Sequence, residues 1–131
     1  MLYTEQVLDH FNNPRNLGEI ADADGVGEIG DPSCGDFMKV WIRVDGNVIA
    51  DAKFKCQGCP TAVATGSIMT ELAMGKDLDE AMEITDERIA EALGGLPEQK
   101  FHCSNLGAGA LQDAITDHVL RFIGKIPQRR K

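Results

Sequence analysis

Residues 35–60 read GDFMKVWIRVDGNVIADAKFKCQGCP, and the middle of this stretch decides the fold. FMKVWIRV alternates as a half-buried strand does, Asp45-Gly46-Asn47 is a hairpin turn signal, and VIADAKFKC is the returning strand. From Ala50 to Cys56 the even positions are apolar and the odd ones charged, which puts the even set, Cys56 and Phe54 included, on the inward face. After Cys59 the pattern becomes helical. Pro60 suits a first helical position and Gly75 a C′ residue. TAVATGSIM, residues 61–69, is uncharged all round, so this helix should be buried, with Ala64, Gly66 and Ser67 allowing close backbone approach.

Working outward, GVGEIGD at 25–31 reads as a third strand, separated from a first helix by a loop rich in Gly and Asp. That first helix is capped by Thr4, runs to about Asn12, and is ended by Pro14, Asn16 and Gly18. Asp77 caps a short helix to about Glu83, and Thr85 caps another to about Leu93. A last helix begins near Ser104, carries Leu111, Ile115, Val119 and Phe122 at spacings of three and four, and ends at Gly124. No repeat of 20 to 50 residues is present. Strands first and helices afterwards give an α+β class, a small antiparallel sheet of about three strands packed against several helices.

The chain of 131 residues suits one domain, residues 1–131, able to bury about two-thirds of its unfolded surface. Thirteen basic residues against 21 acidic ones leave a net charge of −8, which repels phosphate backbones and anionic lipid, so neither nucleic acid nor membrane is an expected partner. The basic cluster Arg129-Arg130-Lys131 follows Pro127, and residues 125–131 read as a solvated, flexible tail. The longest uncharged run, 56–70, contains Pro60 and Gly66 and falls short of the roughly 20 apolar residues a membrane span needs. MLYTEQVLDH carries acid where a signal peptide carries base and an apolar core, so the expected location is the cytoplasm. In that reducing compartment four cysteines point to metal or sulfur chemistry more than to disulfides.

The cysteines differ in setting. Cys56, inward on its strand, reads first as packing and second as a spare ligand or redox partner. Cys59 lies past Gly58, directly before Pro60, at the N-cap or N′ position of the buried helix. Unpaired N–H groups and the positive helix end favour a thiolate there, the setting of a ligand or nucleophile, although a plain buried cysteine also fits. Cys34 sits in the turn GDPSCGD with Asp36 two residues on, so an extended chain points both side chains the same way. Cys103 follows His102 at the start of the last helix, where the same field lowers its pKa. Three such cysteines with a carboxylate and an imidazole make a soft-to-borderline donor set suited to Zn²⁺ or an iron–sulfur centre. Their spacing matches no compact zinc finger, which favours an open site assembled by the tertiary fold. His10 and His118 have no comparable company and read as boundary residues; Met69 and Met74 read as packing.

DPSCGDFMKVWIRV, then DAKFKCQGCPTAVATGS followed by TEL and GK, then LGGLPEQKFHCSNLGAGAL, together resemble the IscU/NifU-N family of iron–sulfur cluster assembly scaffolds. The opening YTEQVLDHFNNPRNLGEI is similar to that family's start, so the likeness spans about residues 3–123. It implies a SufE/NifU-like fold and a non-catalytic scaffold. By resemblance Cys34, Cys59 and Cys103 bind the cluster, Asp36 keeps it labile, His102 is an alternative ligand, and Cys103 first accepts persulfide sulfur from an IscS/NifS-like cysteine desulfurase. The implied cargo is iron and a transient [2Fe–2S] cluster passed to apo-proteins, with a ferredoxin and an iron donor as further partners and zinc able to occupy the same site.

Several positions depart from the family pattern. Cys56 replaces a usual Thr, and Pro60 a usual small residue. The segment that reads LPPVK in IscU and engages an Hsp70-type chaperone is Leu96-Pro97-Glu98-Gln99-Lys100 here, which weakens the expectation of that partner. The insertion of the zinc-dependent SufU branch is missing, His102 is present where that branch lacks it, and the further domains of full NifU are not expected. A SufU-type zinc-containing sulfur acceptor is the second reading, and a C-x-x-C oxidoreductase the third, disfavoured because Cys56 faces inward and the motif lacks a thioredoxin-like context.

Overall fold

A computed structural model describes residues 3–31, 36–58, 60–96 and 102–124, with the side chains of 31, 36 and 102–105 outside that description. Cys34, Cys59, most of the LPEQK segment and the basic tail 125–131 therefore lie outside the described residues. The elements are α1 (Glu5–Asn12), β1 (Gly25–Asp31), β2 (Asp36–Asp45), β3 (Val48–Gln57), α2 (Pro60–Ala73), α3 (Leu78–Met82), α4 (Asp86–Ala92) and α5 (His102–Phe122). The three strands form one antiparallel sheet in the order β1-β2-β3. The helix starts at Thr4, Asp77 and Thr85 are capped as their side chains require, each accepting a bond from a backbone N–H three residues on. Helix α5 begins two residues earlier than Ser104 suggests, at His102. No helix among the described residues is long and apolar enough to cross a membrane.

The inward alternation of β3 holds from Ala52 to Phe54, both fully buried, but it fails at Ala50, which is exposed. Arg43 pairs with Asp51 and Val44 with Ile49, so Ala50 has no opposite residue and is a β-bulge. The extra residue reverses the side-chain phase, and Ile49 takes the inward place. On that face Met38, Val40, Ile42 and Phe54 pack against α2 and α5, with α4 seated on those two helices. Helix α2 is buried around much of its surface, and Gly66 is where it meets the sheet: a Cβ there would lie 2.3 Å from the Phe54 ring.

The opposite face is covered too. Trp41 packs with Ile20, Ala23 and Val26, so the Gly- and Asp-rich loop is a lid over a second small core. Ion pairs Asp22–Arg43 and Glu19–Lys55 fasten that loop to β2 and β3.

Both sheet edges are closed. Along β3, Gly18 N–H donates to the Phe54 carbonyl and Phe54 N–H to that of Asn16. Asn16, with φ of 65°, has the left-handed backbone that asparagine tolerates better than most residues. Along β1, the N–H groups of Val26 and Glu28 donate to Asp117 Oδ2 and Asp113 Oδ2 at 2.9 and 3.0 Å. Two residues of strand rise about 6.6 Å and four of helix about 6 Å, so a pair of carboxylates one turn apart matches alternate strand amides. The helix can come this close only because β1 carries Gly25 and Gly27: a Cβ at Gly27 would lie 2.3 Å from the Ala110 carbonyl oxygen.

The expected apolar stripe of α5 is buried at Leu111 and Ile115 but not beyond, since Val119 and Phe122 are 39% and 77% exposed. Gly25, where β1 begins, is already level with Ala114 and His118. The last turn thus projects past the sheet. His118 is half-buried beside the Phe122 ring, as a boundary residue. Met69 is buried and Met74 packs at the core margin, as read.

His10 is not a boundary residue; it is buried between α1 and α2. Ser67 Oγ accepts from the Arg15 N–H at 2.9 Å and lies 2.7 Å from His10 Nδ1. The other ring nitrogen, Nε2, lies 3.6 Å from Glu71 Oε1. Burial lowers the His10 pKa and the Arg15 charge adds to this, against the opposite pull of Glu71 and Asp9. Folded His10 therefore holds a proton more weakly than the unfolded chain does. Its contribution is complete above about pH 6.5 and is lost as pH falls below that value. The denaturation midpoint should drop between about pH 7.5 and 5.5, and His10→Gln should remove part of that drop. An identical drop in both proteins would exclude His10 as its source.

Candidate functional site

The directions of the elements determine which segments meet. Gly25 lies against Ala114 and His118, Gly27 against Ala110 and Ala114, and Ile29 against Gly109, so α5 runs antiparallel to β1. Its first residues therefore lie toward Asp31, which pairs with Asp36 at the start of β2. Phe37 in turn pairs with Gln57 at the end of β3. After Gln57 the chain reverses into α2, which returns over Phe54 at Gly66 and reaches the start of β3, where Gly75 N–H donates to the Ile49 carbonyl. Helices α2 and α5 are thus parallel to one another, with Thr65 facing Gly107 across their contact.

One end of the molecule consequently collects the Asp31–Asp36 pair, the last residues of β3 and the N-termini of α2 and α5. Asp36 is the first residue of β2, and His102 and Cys103 are the first two of α5. Cys34 and Cys59 lie outside the described residues, but the residues that flank their segments, Asp31 and Asp36, and Gly58 and Pro60, stand at this end. Two helices of 14 and 21 residues direct their positive ends here, a field that favours thiolates over thiols.

Cys56 stands opposite Met38 and packs, half-buried, against the core, in phase with Phe54. For the iron–sulfur cargo that the family resemblance implies, we expect Cys56→Thr to leave yield and lifetime unchanged on reconstitution; loss of more than about half the yield would make it a ligand. Among the described residues no three His, Cys, Asp or Glu side chains converge as a metal site. A cleft of about 470 Å³ on the outer sheet face beside β1 is lined by Glu28, Lys39, Trp41, Asp113, Asp117 and Arg121. Its charges are engaged in the Lys39–Glu28 and Arg121–Asp117 pairs and in the edge bonds of β1.

Sequence reading missed Asp113 and Asp117 as the groups that seat α5, and with it Cys103, on the sheet. The signal was present, because two carboxylates one turn apart on a helix and a GVG strand are a matched pair. It read Ser67 only as a small residue and missed its hydroxyl, which joins α1 and Arg15 to α2.

Residues 2–123 match the family model described as NifU-like N terminal domain. An iron–sulfur cluster assembly scaffold protein IscU of Archaeoglobus fulgidus is 56% identical over 125 residues, covering 95% of this chain and 81% of that protein. The IscU scaffold protein of Escherichia coli K12 is 48% identical over 122 residues, 90% of this chain and 94% of its own. Among solved structures, a protein described as an iron–sulfur cluster assembly scaffold for the SUF system of Fervidobacterium islandicum superposes with a TM-score of 0.69 at 27% identity, covering 86% of this chain and 96% of that one. The N-terminal part of a NifU-like protein from Brucella abortus superposes at 0.71 with 20% identity, covering 90% and 94%, a likeness of fold. By extent and identity, the chain belongs to the NifU-like N-terminal domain family.

Proposed function

We propose that this protein is an iron–sulfur cluster assembly scaffold, a carrier rather than an enzyme, whose cargo is built and released at the end where α2 and α5 begin. The observation that carries this reading is the convergence there of the ends of all three ligand-bearing segments, in a chain 48% to 56% identical to curated scaffolds. Within it, Cys34, Cys59 and Cys103 hold iron as thiolates, Asp36 is the harder, weaker ligand, and His102 is the alternative donor.

Sulfur enters by thiol exchange. The Cys103 thiolate attacks the outer sulfur of a cysteine desulfurase persulfide, forming the Cys103 persulfide and releasing the desulfurase cysteine as thiolate. Each sulfur then needs two electrons to become sulfide. Oxidation of one ferrous iron to ferric supplies one, and a ferredoxin-class donor the other. The resulting [2Fe–2S] cluster passes to an apo-protein.

Anaerobic reconstitution with ferrous iron, cysteine and a desulfurase, followed by absorption and metal analysis, tests the reading. Visible iron–sulfur bands with about two irons per chain support it. A colourless zinc protein that only accelerates the desulfurase would overturn it in favour of a SufU-type sulfur acceptor.

A further inference from the structure

We propose that the Thr61 hydroxyl donates a hydrogen bond to a sulfur of the iron–sulfur cargo, a further binding residue that rests on the scaffold reading above. Thr61 is 0% exposed and its Oγ1 has no hydrogen-bond partner. A buried hydroxyl left without an acceptor is costly, and native proteins seldom keep one without a use.

Thr65, one turn on, is in the same condition, yet the two differ in what their own helix offers. Thr65 can turn its hydroxyl onto the Thr61 carbonyl, the ordinary outlet for a threonine inside a helix. The residue four before Thr61 is Gln57, the last of β3, so Thr61 has no helical carbonyl behind it. Its partner must come from elsewhere.

Helix geometry gives the direction. Thr65 faces α5, its Cγ2 lying 2.6 Å from a Cβ placed at Gly107. Thr61 shares that face one turn closer to the helix start. Because α2 and α5 run parallel, Thr61 is level with the first turn of α5, the turn that holds His102 and Cys103. Cargo sulfurs, anionic as sulfide or thiolate, are the acceptors that belong at two converging positive helix ends. A hydroxyl donor stabilises charge on sulfur most in the reduced cluster, so it slows loss of the cluster and raises its reduction potential.

Wild type, Thr61→Val, Thr61→Ser and Thr65→Val would be reconstituted anaerobically and compared. Thr61→Val should melt no lower than wild type as the apo-protein. It should lose its cluster to a chelator about fivefold faster, the factor one ordinary hydrogen bond is worth, and show a lower potential. Thr61→Ser should restore both properties, and Thr65→Val should match wild type. Wild-type loss rate and potential in Thr61→Val would overturn the proposal, as would an equal effect from Thr65→Val, which would locate it in helix packing. A wild-type protein that binds no cluster overturns the scaffold reading and this inference together, whereas a cluster indifferent to Thr61→Val overturns the inference alone.

Discussion

Gly27→Ala is expected to destabilise the protein by about 3 kcal/mol, at the upper end of what overpacking costs and a large share of the 5–15 kcal/mol that holds an ordinary domain together. The added methyl would lie 2.3 Å from the Ala110 carbonyl oxygen and 2.4 Å from the Ala114 nitrogen. These are backbone atoms of α5, so no rotamer change relieves the clash. Either α5 moves off β1 or the strand bends. If the helix moves, the Asp113 and Asp117 bonds to Glu28 and Val26 lengthen and two edge amides lose their partners. The same movement displaces the first turn of α5, which carries His102 and Cys103. A thermal melt should show a midpoint lower by about 10 °C, with cluster yield falling in parallel. A midpoint within about 2 °C of wild type would mean that α5 does not press on β1 as described.

Asp36→Cys is expected to make the cluster longer-lived and its transfer to an apo-ferredoxin slower, on the order of tenfold, or about 1.4 kcal/mol in barrier. Thiolates suit iron, while a carboxylate is a harder donor that leaves one iron less saturated in soft ligands and easier to extract. Asp36 opens β2 and pairs with Asp31, so its backbone is held by the sheet while the segment bearing Cys34 lies just before it. The substitution should leave the melting of the apo-protein close to that of wild type, which separates an effect on the cargo from one on folding. An unchanged transfer rate would remove Asp36 from the release step.

The hairpin of β2 and β3 was legible because its two signals, alternation and Asp-Gly-Asn, are local. The buried character of α2 was legible because nine uncharged residues in a row leave a helix no polar face. Ala50 was misread for the opposite reason. A bulge is decided by what lies across the ladder, and VIADA read alone alternates either way. The exposure of Val119 and Phe122 likewise depends on where the neighbouring strand starts, which no helical period encodes. His10 read as a bland helix residue because its partners, Ser67 and Glu71, lie 57 and 61 residues away.

The candidate site divides along the same line. Residue chemistry and motif order alone determined the donor types: three cysteines, a carboxylate and an imidazole, each in a turn or near a helix start. What only the tertiary structure decided is that the described residues flanking these donors, Asp31 and Asp36, Gly58 and Pro60, and the start of α5, share one end of the molecule. That follows from the antiparallel course of α5 on β1 and of α2 on β3, set by β1 glycines that admit the α5 backbone, by Gly66, which admits the Phe54 ring, and by two aspartates matched to strand amides. Such contacts join residues 85 and 91 positions apart, beyond the reach of any local pattern.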